Sequence, residues 1–226
     1  MIIYLIRHGE SEANTLNVFS NTGYQHGLTP RGKQQALLVL NQLQRLGIQP
    51  KVIYSSPLKR AVETAEIIAQ GFSLPYKKAP ELTEFSVGLL EGKASEEDWQ
   101  HFKLLWDEWF LNKNDAYRIP KGESLTDVIN RVQSFLRHLK QIHRPEDTLL
   151  LIGHGGTFKA ILPFLDKTVS RKSLRDTWLK HTDIVKIEMG EEYEIEADKH
   201  QKQKNKRRNG ARHYALQKLK TLKIPQ

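Results

Sequence analysis

The chain has 226 residues, of which 38% are hydrophobic, and this suits one compact domain with a small appendage better than a disordered chain. It contains no cysteine, which excludes disulfides, thiolate nucleophiles and thiolate metal sites. No apolar run approaches the roughly 18–20 residues of a membrane span. The first residues lack a basic leader and a cleavage site, so we expect a cytoplasmic protein.

The net charge of +9 belongs to one end of the chain. Residues 198–226 hold ten lysines and arginines against one acidic residue, whereas residues 1–197 hold 25 basic and 25 acidic residues. The sequence thus predicts a folded domain over 1–197 and a basic tail over 198–226. Apolar residues recur in the tail at helical intervals, at Ala211, Tyr214, Ala215, Leu219 and Leu222. The tail is either a solvated extension or an amphipathic helix that docks on an anionic membrane, on nucleic acid or on the domain itself.

The domain opens with a continuous apolar run, 2–6, which is typical of a strand buried on both faces of a parallel sheet. The first helix is predicted to begin at Pro30, with Thr29 as its N-cap, and to end at Gly47. Its expected apolar face comprises Leu37, Leu40, Leu43 and Leu46. The elements predicted next are strand 52–54, helix 57–70, strand 74–77, helix 95–111, helix 124–142, strand 148–152, a helix through Leu165, and a hairpin of strands 184–189 and 193–197.

Strands that alternate with helices favour an α/β fold. We therefore predict a three-layer α/β/α sandwich around a largely parallel central sheet. The segment 93–121 is unusual because its predicted helix carries aromatic residues on or near one face, namely Trp99, Phe102, Trp106, Trp109 and Phe110. This helix either packs in the core or forms a lid over a substrate entrance. A lid would favour a substrate with an apolar or aromatic part.

Two histidines follow the two most apolar strands directly. His8 lies in the run Arg7-His8-Gly9 and His154 in the run Gly153-His154-Gly155. In open α/β sheets, ligands bind beyond the carboxyl ends of the strands, so the sheet is expected to bring both histidines to one edge. Five other histidines are expected to be ordinary surface or core residues: His26, His101, His138, His143 and His181.

The residue types around these histidines fit phosphoryl transfer. A neutral imidazole such as that of His8 can attack phosphorus and carry the phosphoryl group. The charged oxygens of that group need fixed donors, and the guanidinium groups of Arg7 and Arg60 bind phosphate through paired hydrogen bonds. The glycines beside the histidines allow backbone amides to approach an oxyanion, and Asn14 adds a neutral donor. Considered one at a time, these residues also have ordinary interpretations. Arg60 would be an arginine on a helix surface, Asn14 the cap of a turn and Glu84 a solvated acid.

Six sequence blocks occur in one order along residues 1–190: 7–14, 28–36, 55–65, 82–92, 122–124 and 153–156. They resemble the signature blocks of the histidine phosphatase superfamily, in the branch of cofactor-dependent phosphoglycerate mutase and its phosphatase relatives. The resemblance implies the phosphoglycerate mutase-like fold and a phosphohistidine on His8. It also implies that Glu84 protonates the leaving oxygen and then activates water.

The resemblance further implies which groups hold the transferred phosphoryl group: Arg7, Asn14, Arg60, His154 and Gly155. It implies no metal or other cofactor, because the arginines supply the positive charge. We therefore predict a metal-independent, acid-type phosphatase for small phosphomonoesters. Two alternatives remain: mutase-type phosphoryl transfer, and a non-catalytic phosphate-binding scaffold recruited through the basic tail. Gly156-Thr157 after the second His-Gly pair, where mutases carry Asn-Ser, favours the phosphatase.

Overall fold

The computed structural model describes residues 1–190 and the backbone of Thr221–Leu222. The strands are β1 (Ile2–Arg7), β2 (Val52–Ser55), β3 (Tyr76–Lys78), β4 (Thr148–Gly153), β5 (Ile184–Glu188) and β6 (Thr221–Leu222). The helices are α1 (Glu12–Leu16), α2 (Pro30–Arg45), α3 (Lys59–Phe72), α4 (Glu96–Phe110), α5 (Leu125–Ile142), α6 (Gly155–Leu165) and α7 (Arg171–Leu174). Within these residues, none of the helices combines the length and hydrophobicity needed to cross a membrane.

The strands form one sheet in the order β3-β2-β4-β1-β5-β6. The four strands β1 to β4 run parallel, whereas β5 is antiparallel to β1 and β6 is antiparallel to β5. The predicted largely parallel sheet is therefore confirmed. In the register of the central pair, Arg7 lies opposite Gly153, so β1 and β4 end side by side.

A hydrophobic core lies on each face of the sheet, because successive side chains of a strand point to opposite faces. In β4, Leu149 and Leu151 belong to the core that contains the buried residues of α4, α5 and α6. Leu150 and Ile152 belong to the core that contains the buried residues of α2 and α3. The two cores and the sheet between them make the predicted three-layer sandwich.

The buried face of α2 differs from the predicted one. The residues that are buried are Gly32, Ala36, Val39, Leu40 and Leu43. Leu37 and Leu46 are 49% and 50% exposed, so including them in the apolar face was wrong. The buried positions follow an i, i+3, i+4, i+7 stripe, which a search for leucines alone misses because Ala36 and Val39 complete it.

Two element starts are later than predicted, for local reasons. Helix α3 starts at Lys59 after an extended Leu58, whose N–H donates to the Ser56 hydroxyl. Strand β3 starts at Tyr76 because the N–H of Leu74 still donates to Ala69 at the end of α3, and Pro75 has no N–H to donate.

Helix α4 places its aromatic side chains in the core. Trp106 is 2% exposed and Trp109 is fully buried, and Phe102 packs parallel to Phe85 with ring centroids 6.0 Å apart. Trp99 is partly buried at the edge of the same cluster. Burial thus supports the core interpretation of this helix. Because Phe85 follows Glu84, the cluster also reaches the loop that carries the predicted acid.

The end of the chain departs from the predicted pattern. The strand over 184–189 is present as β5, while the predicted partner strand 193–197 lies outside the described residues. On the side of β5 away from β1, the neighbour that the structure describes is β6, which pairs antiparallel with Ile184 and Val185. Leu222 is therefore in an extended strand, and placing it on a tail helix was wrong. The physical reason is that β5 would be the edge of the sheet without β6, and an edge strand leaves backbone groups unpaired. The remaining predicted tail helix lies outside the described residues.

Candidate active site

The ends of β1 and β4 bring the two predicted histidines together. His8 and His154 are 3% and 0% exposed, and their ring centroids lie 5.0 Å apart. The backbone N–H of His8 donates to the carbonyl of Gly153, which ties the first loop to the end of β4. Adjacent parallel strands are the reason for this proximity, because their carboxyl ends share one edge of the sheet.

Two contacts determine the tautomer of neutral His8. Its Nδ1 lies 2.6 Å from the Gly9 carbonyl oxygen, which can only accept, so Nδ1 carries the hydrogen. Its Nε2 accepts a hydrogen bond from Nε of Arg60 at 3.1 Å. Burial, followed by the positive charges of Arg60 and Arg7, lowers the pKa of His8 well below 6.5. His8 is therefore a neutral imidazole with its lone pair on Nε2.

The two arginines converge on this imidazole from different elements. Arg7 ends β1, donates through Nη1 to the carbonyl of Leu179, and lies against Gly155, where an added Cβ would be 3.0 Å from its Nε. Arg60 lies in the first turn of α3 and is 4% exposed. Burial lowers the pKa of Arg60 to about 10, with Glu84 opposing that shift, so the group remains a cation at neutral pH.

Three nitrogens at this site are buried and have no hydrogen-bond partner among the described residues. They are Nε of Arg7, Nη1 of Arg60 and Nδ1 of His154. Buried polar groups are normally paired, and such exceptions are found at functional sites. Each of these nitrogens belongs to a residue for which the family resemblance implies phosphate binding, and an oxyanion is a ligand that these nitrogens could pair with.

His154 is oriented from its other ring nitrogen. Its Nε2 lies 2.7 Å from the Ser56 hydroxyl, which comes from the loop between β2 and α3. Burial, followed by the charge of Arg60, lowers the pKa of His154 well below 6.5. If Ser56 donates to Nε2, Nδ1 of the neutral ring carries the hydrogen and becomes a donor.

Glu84 lies at the amino end of α6, next to the His154 loop. Its Oε2 accepts from the N–H of Gly156 at 2.9 Å, and its Oε1 accepts from the N–H of Thr157 at 2.6 Å. An added Cβ on Gly156 would lie 2.9 Å from both carboxylate oxygens, so a glycine is needed for this approach. The positive end of the helix and the amides hold Glu84 beside the arginines.

Asn14 lies in α1 at the exposed side of the site. Its Oδ1 accepts from the N–H and the hydroxyl of Ser11, at 3.0 and 2.8 Å. Nε2 of His181 lies 3.1 Å from the same oxygen, and the His181 ring centroid is 6.2 Å from that of His8. Because the carbonyl oxygen Oδ1 can only accept, His181 is the donor in this contact.

The sequence interpretation of His181 as an ordinary residue was wrong, since it lies within the site. It precedes β5, which runs antiparallel to β1, so the start of β5 meets the end of β1. The N–H of Thr182 donates to the Arg7 carbonyl and secures this placement. The one signal in the sequence was a histidine just before a strand, and it has no meaning until the direction of β5 is known.

Residues 3–200 match the family profile of the histidine phosphatase superfamily, branch 1. The chain belongs to the histidine phosphatase superfamily. It is 35% identical to the human protein 6-phosphofructo-2-kinase/fructose-2,6-bisphosphatase 1 over 169 residues, which cover 74% of the chain and 33% of that protein. The chain thus spans about a third of the length of the curated relatives it matches.

Solved structures of other histidine phosphatase-like proteins share the fold. Bacillus stearothermophilus YhfR is 26% identical with a TM-score of 0.71, and the match covers 84% of this chain and 92% of that one. Entamoeba histolytica phosphoserine phosphatase, in complex with 3-phosphoglyceric acid, is 26% identical with a TM-score of 0.66, over 82% and 89%. The recognised family and the predicted phosphoglycerate mutase-like fold are confirmed, and the relatives support a phosphatase.

Proposed function

We propose that this histidine phosphatase hydrolyses small phosphomonoesters through a phosphohistidine on Nε2 of His8. The observation that carries the proposal is the contact between Arg60 Nε and His8 Nε2. It places the lone pair of a neutral imidazole beside a guanidinium group that can bind the phosphoryl oxygens. The buried, unpaired nitrogens of Arg7 and His154 supply further positions for those oxygens.

In the first step, Arg60 Nε gives up its hydrogen bond to His8 Nε2 and donates to the phosphoryl group instead. The freed lone pair on Nε2 forms a bond to phosphorus while the bond between phosphorus and the ester oxygen breaks. The leaving oxygen takes a proton from protonated Glu84. Arg7 and Arg60 stay charged throughout and stabilise the equatorial oxygens, which carry the developing charge. No metal is required, because these two cations supply the positive charge at the phosphoryl group.

In the second step, water attacks the phosphorus of the phosphohistidine. Glu84, now ionised, takes a proton from that water, and the bond between phosphorus and Nε2 breaks with its electron pair returning to His8. Inorganic phosphate leaves, and Glu84 is protonated again for the next cycle. The acid of the first step thus acts as the base of the second.

The test uses an aryl phosphate in the presence of a chelator, with His8→Ala as the matched control. We expect phosphate release by the natural protein and none above background by the variant. Rapid acid-free quenching with a radiolabelled substrate should trap a labelled protein in which the label is on His8. Release that is equal in both proteins, or that stops with the chelator, would contradict the proposal.

The neutral state of His8 also predicts how activity depends on pH. An ordinary histidine gains a proton as the pH falls through about 6.5, whereas the lowered pKa of His8 keeps its lone pair available below that value. The substrate phosphate itself titrates with a second pKa of about 6, so kcat/KM must be corrected for its ionisation. After that correction, we expect no loss of kcat/KM as the pH falls below about 6.5. A protonation step near pH 6.5 that abolishes activity would contradict the assignment of His8 as a neutral nucleophile.

The substrate class is proposed from the relatives. Their names specify fructose-2,6-bisphosphatase and phosphoserine phosphatase. A screen should therefore begin with phosphorylated sugars and phosphorylated three-carbon acids and amino acids. Transfer of the phosphoryl group to a second hydroxyl instead of water, seen as an isomeric phosphate ester, would favour the mutase alternative.

A further inference from the structure

Thr157 lies in the first turn of α6, and its hydroxyl contacts three polar groups from other parts of the chain. The side chain is fully buried. Its Oγ1 lies 2.9 Å from the carbonyl oxygen of Thr83 and 2.8 Å from Oε1 of Glu84. Nη2 of Arg131 donates to the same oxygen at 3.5 Å. The hydroxyl is therefore held between an acceptor, a carboxyl group and a cation.

A hydroxyl has one hydrogen, so it cannot donate to Thr83 and Glu84 at the same time. If the hydrogen points to Glu84, the carboxylate is ionised and accepts. If the hydrogen points to the Thr83 carbonyl, which can only accept, the contact with Glu84 requires a proton on Oε1 that Glu84 donates to Thr157. Rotation of one bond thus fits the hydroxyl to either protonation state of Glu84.

The other hydrogen-bond partners of Glu84 can only donate. They are the backbone N–H groups of Phe85, Gly156 and Thr157, so none of them can accept the hydrogen of a protonated carboxyl group. The positively charged groups nearby are Arg7 and Arg60, which interact electrostatically with Glu84, and Arg131, which donates to the Thr157 hydroxyl. Among the described residues that bond to Glu84, the Thr157 hydroxyl is the one group able to accept a hydrogen bond from its protonated carboxyl group.

We infer that Thr157 is a positioning residue that holds Glu84 in both protonation states and so supports its alternation between acid and base. The inference rests on the proposed function, in which Glu84 starts each cycle protonated. The guanidinium of Arg131 is held in place by Glu123, at 2.7 Å, and by the carbonyl of Glu81. Its role is to keep the Thr157 oxygen in place.

The test compares Thr157→Val, which keeps the shape and removes the hydroxyl, with Thr157→Ser, which restores it. Loss of the acceptor weakens the protonated acid by about one hydrogen bond, so we expect a three- to tenfold loss, roughly, of kcat/KM. That loss should appear with an alkyl phosphate, whose leaving oxygen needs a proton, and be less than about twofold with a nitrophenyl phosphate. Thr157→Ser should recover the alkyl phosphate activity.

A second measurement is independent of turnover. Infrared difference spectra between low and neutral pH, assigned with Glu84→Gln, should show the protonated carboxyl band of Glu84 at a different frequency in Thr157→Val. Equal losses on both substrates, no rescue by serine, or an unshifted band would overturn the inference. Absence of phosphate release and of a His8-linked phosphoryl group in the natural protein would instead reject the proposed function itself.

Discussion

Arg60 makes the most direct contact with the proposed nucleophile, and its replacement is the sharpest test at the scale of one residue. Arg60→Ala removes the donor to His8 Nε2 and the unpaired Nη1. Charge-assisted hydrogen bonds contribute about 1.5–3 kcal/mol each, and about 1.4 kcal/mol corresponds to a tenfold change in rate. We expect a loss of kcat/KM on the order of 100-fold or more, measured on an aryl phosphate.

Arg60→Lys is the matched control, because it keeps the charge without the paired donors of the guanidinium group. It should recover a part of the lost activity. A loss below about threefold in Arg60→Ala would place the arginine away from the phosphoryl group, whatever its contact with His8.

His181 provides a second prediction at the same scale. His181→Leu removes the donor to Oδ1 of Asn14 and leaves the two donors from Ser11. One neutral hydrogen bond contributes about 0.5–1.5 kcal/mol, so we expect KM to rise roughly three- to tenfold with kcat little changed. Steady-state kinetics measure both constants. His181→Gln, which can present an N–H to Oδ1 of Asn14, should restore KM. An unchanged KM in His181→Leu would show that His181 does not orient Asn14 for substrate binding.

At the scale of elements, α6 carries a buried lysine that the proposed reaction does not use. Nζ of Lys159 lies 4.2 Å from the ring centroid of Trp106 in α4 and 4.0 Å from that of Trp178, and it donates to the carbonyl of Arg175 at 2.8 Å. One side chain thus joins α6, α4 and the segment after α7. That segment leads to Leu179, whose carbonyl accepts from Arg7.

The charge of Lys159 makes stability depend on pH in a defined direction. Burial, followed by the charge of Arg175, lowers the pKa of Lys159 to about 8, whereas an unfolded lysine keeps its ordinary value of 10.5. Between these values the unfolded chain binds the proton that the folded chain has lost, so the free energy of unfolding rises with pH. Urea unfolding at pH 7.5 and pH 10 should show this rise relative to Lys159→Met. Equal pH dependence of the free energy of unfolding in both proteins would show that Lys159 is not the source of this effect.

At the scale of the whole molecule, charge is divided between a neutral domain and a basic tail. The tail's ten lysines and arginines predict retention on a nucleic acid or on anionic vesicles that falls as salt is raised. Replacing the basic residues between 199 and 212 by glutamine, which leaves Thr221–Leu222 of the sheet intact, should lower the salt concentration at elution. Unchanged elution from both polyanions would leave the tail without this role.

The sequence by itself determined the fold class and the family, and it predicted most of the residues that the structure brings together in the candidate site. Continuous apolar runs identify strands buried on both faces, and His8 and His154 follow two of them directly. These signals are local, because the apolar run of a buried strand and the histidine that follows it lie within a few consecutive residues. Two errors are also local: a search for leucines alone misses Ala36 and Val39 in the buried face of α2, and the extended Leu58 delays the start of α3.

Only the tertiary structure decided which atoms meet. The lone pair of His8 is assigned to Nε2 because Gly9 and Arg60, the latter 52 positions away along the chain, contact opposite sides of one ring. His181 enters the site because β5 runs antiparallel to β1, and Glu84 rests on α6 because a glycine lets it approach. Such pairings arise from packing between elements far apart in the chain, and no periodicity within a single element encodes them.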